Sequence, residues 1–235
     1  SRDTVKKYSV TARGYVWPWT VEAFTHLALG NLRHAWTAAQ EAERYDKEED
    51  PKVTSVVLAR VLHALGQEER AVAELKTFLA QQDPDLPMKI EALLLLSEIT
   101  QDAGLLEDAE TLVKQIPKPD SQIRLALAKS LFATPEESLS LMAGALELAT
   151  SLKLRPLEAS LRLRKAQALF KLERLEEARD SIEQTLTYHA SLISPAESYF
   201  TAHQIYEALK NTKAKHYFDE AQNWIDQTAR ALPKD

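Results

Sequence analysis

Histidine, carboxylate and guanidinium groups are the side chains here that could bind a metal, move a proton or hold an anion. The six histidines stand at positions 26, 34, 63, 189, 203 and 216, and no two are four residues apart. An i, i+4 pair on one helix face is a common start of a zinc site, so no local metal site is expected. Cysteine is absent, which removes thiolate ligands, disulfides and thiol nucleophiles together. The densest carboxylates are Glu48-Glu49-Asp50 and Glu176-Glu177. Both groups fall at helix ends or in a first turn, where an acid complements the helix dipole. No nucleophile elbow, glycine-rich phosphate loop or His-Glu-x-x-His run is present. The expectation is a protein with no catalytic residues, no metal and no cofactor.

Charge is uneven along the chain. Residues 150–175 hold seven basic and two acidic side chains, Lys153, Arg155, Arg162, Arg164 and Lys165 among them; residues 36–50 hold six acidic and two basic. A basic strip can meet an acidic partner or phosphate. The plainer reading is a solvated face with local ion pairs worth under about 1 kcal/mol each. The net charge of −6 argues against a general affinity for phosphate backbones, so nucleic acid is disfavoured as a partner. A nucleic-acid-binding regulator using residues 1–8 and the 153–165 strip stands as an alternative. A solenoid curled around a small effector is another.

These groups need helices to position them. Glycine is rare, at 5 of 235 residues, and Leu, Ala, Glu and Lys are abundant. The ten prolines, at 18, 51, 84, 87, 117, 119, 135, 156, 195 and 233, read as helix boundaries, since one inside a helix costs about 3 kcal/mol. The pattern predicts helical pairs at about 18–29 and 31–46, 51–65 and 67–81, 87–103 and 105–116, then 120–132 with a helix opening at Thr134. Two more pairs follow, at about 156–172 and 174–190, and 195–209 and 212–230. Thr134-Pro-Glu-Glu137 and Ser194-Pro-Ala-Glu197 read as capping boxes. Gly144, inside a helix, reads as a point of close helix approach. Residues 1–15 read as a leader, and 16–235 as the repeat domain. The start at Ser-Arg-Asp reads as a fragment of something longer. No signal-peptide pattern and no apolar run near the roughly 20 residues of a membrane helix occurs, so a cytoplasmic protein with no membrane partner is expected.

A numerical repeat ties the pairs together. A small residue opens each second helix: Ala35, Ala71, Ala109, Ser138, Ala178 and Ala214. Twelve residues earlier stands another small one: Ala23, Ala59, Ser97, Ala126, Ala166 and Ala202. Seven later comes Ala42, Phe78, Ile116, Ala145, Thr185 or Ala221. The twelve-residue relation spans the turn and sets two small side chains face to face between antiparallel helices.

At these residues the chain resembles the tetratricopeptide (TPR) repeat family. Leu29-Gly30 with Ala35 and Ala42, and Leu65-Gly66 with Ala71, match its small positions; Ala103-Gly104 follows more loosely, and Leu172-Glu-Arg-Leu-Glu-Glu-Ala178 has Glu173 in place of the turn glycine. The irregular repeats are similar in character to arrays in bacterial transcriptional regulators and signalling proteins. The resemblance implies an all-α, right-handed superhelical solenoid of about six TPR-like hairpins. It implies a non-catalytic scaffold or sensor that binds a protein or peptide on its concave face.

Counting by helical period from the small residues gives the candidates for that face. They are Trp17, Thr20, Phe24 and Leu27; Val53, Val56, Arg60 and His63; Glu91, Leu94, Glu98 and Gln101. Further along come Ile123, Leu127 and Ser130; Ser160, Leu163, Gln167, Phe170 and Lys171; and Tyr199, His203 and Tyr206. The family's Lys/Asn clamp on a terminal carboxylate is not assembled at Thr20/Phe24, Val56/Arg60, Leu94/Glu98 or Leu163/Gln167. Trp17, Trp19 and Trp224 near the ends read as caps of the terminal repeats or as an interface for a second copy or for the remainder of a longer protein.

Overall fold

The computed structural model describes residues 13–28, 30–46, 54–81, 84–188 and 195–231. Among them are helices only. The first hairpin is α1 (Arg13–Ala28) and α2 (Leu32–Asp46); the second is α3 (Thr54–Ala64) and α4 (Glu68–Leu79). The third is α5 (Leu86–Thr100) and α6 (Gly104–Gln115); the fourth is α7 (Pro119–Ser130) and α8 (Pro135–Ser151). The fifth is α9 (Arg155–Lys171) and α10 (Leu175–Leu186); the last is α11 (Pro195–Ala208) and α12 (Lys213–Ala231). No helix among the described residues is long and apolar enough to cross a membrane.

The small residues sit where the antiparallel helices meet. Ala23, Ala35, Ala59, Ala71, Ser97, Ala109, Ala166, Ala178 and Ala202 lose all their accessible surface. Larger side chains there would force the paired helices apart.

The turns share a backbone motif more than a residue. Gly30 and Gly66 have φ of 70° and 73°, and Lys153, Glu173 and Lys210 take φ of 56°, 58° and 53° at matching places. The N–H groups of Asn31, Gln67, Leu154, Arg174 and Asn211 donate to the carbonyls of His26, Leu62, Ala149, Leu169 and Tyr206, at 2.8–3.0 Å. These are Schellman ends, which satisfy carbonyls the helix leaves free. Glu173 thus keeps the turn without its glycine, at the steric cost an L-residue meets in the left-handed region.

Three expectations are corrected. Pro18 lies inside α1, which starts at Arg13, so residues 13–15 belong to the first helix and not to a leader. The carbonyl that the proline ring crowds is that of Gly14, whose backbone is the most adaptable. Gly104 is the first residue of α6, its N–H donating to Asp102 Oδ1 at 2.9 Å, while the left-handed residue at the end of α5 is Gln101. Gly144 marks no close approach: it is exposed, and a Cβ there would meet nothing within 4 Å. The Thr134 box is present, Thr134 Oγ1 accepting from the Glu137 N–H at 3.3 Å and Glu137 Oε2 from the Thr134 N–H at 2.9 Å. Residues 1–8, Val53 and Ser194 lie outside the described residues.

Curvature follows from which helices touch. Each first helix packs on the next first helix, from α1 through α11, whereas successive second helices are held apart. The first helices therefore form the inside of the curve. The stack bends far enough that α12 returns to α2. There the Trp224 ring lies on the α1–α2 turn, 3.5 Å from where a Cβ on Gly30 would stand.

Candidate functional site

Side chains of α3, α5, α7, α9 and α11 line a cavity of about 420 Å³ on the inner face. That volume falls in the range of about 300–1,000 Å³ typical of ligand pockets. Leu94, Leu95, Leu127, Leu131, Leu157 and Leu163 give it an apolar floor. Leu32 comes from α2, and Trp224 and Thr228 from α12, so the first and last hairpins both contribute to the lining.

A rail of charge crosses the inner helices. Arg60 Nη2 on α3 donates to Glu91 Oε2 on α5 at 2.5 Å. Arg124 Nε on α7 lies 3.2 Å from Glu91 Oε1 and 2.9 Å from Asp120 Oδ2. The Arg60 and Glu91 side chains are only 17% and 16% exposed, so solvent screens the pair less than a surface one. Burial acts to lower the Arg124 pKa, but Glu91 and then Asp120 outweigh it and hold the guanidinium above its ordinary value. Further along, Arg164 Nη1 on α9 donates to Glu197 Oε1 on α11 at 3.2 Å. Gln167 Nε2 donates to the same oxygen at 3.0 Å and to Thr201 Oγ1 at 3.2 Å. Glu98, half-buried on the cavity wall, has a carboxylate with no hydrogen-bond or ion-pair partner among the described residues.

Of the positions expected to form the site, Arg60, His63 and Glu98 line the cavity, as do Glu91, Leu94, Leu127, Ser160 and Leu163. Gln167 stands beside it through Glu197. The others go elsewhere. Phe24 packs into the first core cluster, against the small residues and leucines of hairpins one and two. Gln101 is exposed at the end of α5, its Nε2 donating to the Glu98 carbonyl at 2.6 Å. Lys171 is exposed at the end of α9. Tyr199 is half-buried, and burial raises its pKa first, with Glu220 adding to it. His203 lies between Phe200 and Phe218, with ring separations of 5.9 and 5.2 Å. Its Nδ1 is 3.1 Å from the Ala214 carbonyl. Tyr206 is a core residue, 1% exposed, whose hydroxyl donates to Glu183. Burial and that bond push its pKa well up. The side chain of Trp17 lies outside the described residues.

Arg124, Arg164, Glu197 and Trp224 enter the cavity without having been singled out for it. The signal for two of them was in the register. Arg124 and Arg164 both stand two residues before their small residue, and Arg60 one after its own. Offsets three apart share a helix face. Glu197 also reaches α9 with its carboxylate, a contact that the capping pattern does not announce. Trp224 depends on ring closure, which no local pattern announces. Three arginines of the basic strip are matched inside the chain: Arg162 pairs with Glu158 at 2.7 Å and with Gln184, Arg164 with Glu197, and Arg174 with Glu177.

No family model matches the sequence, and no curated protein matches it. Among solved structures, the chain is similar to a Rap protein complexed with Competence and Sporulation Factor. The TM-score is 0.62 and the identity 14%, over 92% of this chain and 67% of that one. It is also similar to BtubC (BKLC) from P. vanneervenii, with a TM-score of 0.51 and 14% identity, over 97% of this chain and 96% of the other. At these identities the likeness is one of fold.

Proposed function

We propose that this solenoid of TPR-like helical hairpins is a non-catalytic scaffold that holds a peptide or protein segment in its inner groove. The observation that carries the reading is the cavity of about 420 Å³, with an apolar floor and charged walls drawn from five inner helices and with Trp224 in its lining. Apolar area with a few placed polar groups is what a bound segment needs for affinity and register. The finer setting we propose is a sensor module in a bacterial regulatory or signalling protein. It is supported by the irregular repeats and by the Rap fold's complex with a named factor.

The test is selection of heptapeptides from a phage-displayed library on the whole chain. Binding of the selected peptides should be lost with Leu127→Arg, which puts a charge on the groove floor. It should survive Glu147→Arg at an exposed position of α8. Selected peptides indifferent to Leu127→Arg, in a variant of unchanged helicity, would refute the groove as the site.

A further inference from the structure

The groove's own charges say what its occupant must bring; the inference rests on the reading above. Three arginines line the cavity, and each is matched within the chain. Arg60 and Arg124 share Glu91, Arg124 also has Asp120, and Arg164 has Glu197. Two of the three lining carboxylates, Glu91 and Glu197, are engaged by these same arginines. The third, Glu98, has no partner among the described residues. A half-buried carboxylate gives up part of its hydration and gains from a counter-charge.

A second, independent feature has the same sign. Glu98 stands in the last turn of α5, which carries no basic residue there. That end of a helix is the negative end of its dipole, where a cation is favoured and an acid is not. The Gln101 side chain offers its amide to the Glu98 backbone carbonyl and not to the carboxylate. An acidic ligand would meet Glu98 and find every lining arginine engaged. The chain's net charge of −6 also draws cations from a distance.

We propose that the groove takes an extended peptide segment whose Lys or Arg side chain pairs with Glu98, while bulky aliphatic neighbours cover Leu94, Leu127, Leu131 and Leu163. The leucines supply affinity and Glu98 supplies selectivity, because a neutral isostere leaves the carboxylate unmet.

The heptapeptide library is displayed between constant flanks, so that no free α-amine supplies the cation. Peptides recovered on the wild-type chain, and sensitive to Leu127→Arg, should be enriched in Arg or Lys beside Leu, Ile or Phe. On Glu98→Gln the basic enrichment should vanish while the aliphatic enrichment stays. For a recovered peptide made synthetically, Arg→citrulline should weaken binding about tenfold on the wild type and less than twofold on Glu98→Gln. Groove-dependent peptides without basic enrichment, or with the same enrichment on Glu98→Gln, would overturn the assignment to Glu98 and leave the groove reading standing. Recovery of no groove-dependent peptide would overturn both.

Discussion

Trp224, near the end of the chain, rests on Gly30, the first turn residue: a Cβ at position 30 would be 3.5 Å from its ring. With φ of 70°, Gly30 also needs the freedom of glycine for the turn itself. The same indole forms part of the cavity wall. One contact therefore joins the first and last hairpins and forms part of the cavity wall.

Trp224→Ala should open the ring while leaving the helices intact. The expected destabilisation is about 1–2 kcal/mol, below the 3–5 typical of a fully buried tryptophan, because Trp224 is only half-buried. With no native cysteine to compete, spin labels at Thr37→Cys and Gln227→Cys would report the end-to-end distance directly. The distance should lengthen and broaden in the alanine variant. An unchanged distribution would show that Trp224 does not hold the ends.

Removing the middle of the charge rail should cost more than a surface pair does. Glu91→Gln leaves Arg60 and Arg124 facing each other, and about 1–3 kcal/mol of stability should be lost, after discounting for the 34% exposure of Arg124. The double variant Arg60→Met/Glu91→Leu should lose less than Glu91→Gln alone, since one stranded cation is gone. Urea unfolding of the set measures this, and a Glu91→Gln variant as stable as the wild type would argue against the rail.

The left-handed turn residues predict gains. Glu173→Gly, Lys153→Gly and Lys210→Gly should each stabilise by about 1 kcal/mol, by relieving the clash of Cβ with the following carbonyl. Gly66→Ala should destabilise by a similar amount, although a Cβ there meets nothing within 4 Å. Thermal melts decide whether backbone conformation or local crowding governs these turns.

Gly144 should behave in the opposite way. Exposed inside α8, it holds the helix back by about 1 kcal/mol relative to alanine. Gly144→Ala should raise the melting temperature. A fall would restore a close-contact role for that residue.

Acid should act partly through Glu110. Hydrogen bonds from Lys129 and then Lys114 hold its pKa below the ordinary 4.5. A lowered folded-state pKa gives stability that is complete above 4.5 and is lost as pH falls through the folded-state value. The gap between the wild type and Glu110→Gln, under about 1 kcal/mol for so exposed a pair, should therefore close as pH drops below 4.5.

The helices and their pairing were legible because the small residues recur at fixed offsets, and their burial is local arithmetic. Ala59 and Ala71 meet across a turn whose geometry depends on a few residues. The candidate site was legible only in part, for a reason of scale. Arg60, His63 and Glu98 could be placed by helical period alone, and Tyr206 could not be kept out by it. Whether a tyrosine on an inner helix faces the groove or the core depends on how far its neighbours rotate, and Tyr206 turns toward Glu183 of α10. Gly144 misled because a helical glycine marks a contact only if a neighbouring helix comes close, and none does. Trp224 was beyond local reasoning, since its partner lies almost the whole chain away.

Because Trp224 meets Gly30, this solenoid has a countable circumference. An open array can gain or lose a hairpin by duplication or deletion and merely change length. Here one hairpin more would carry α12 past the first turn, and one fewer would leave it short. Either change would unmake the cavity wall along with the seam. A change in the number of hairpins between α2 and α12 should therefore be felt at the cavity wall as well as at the seam.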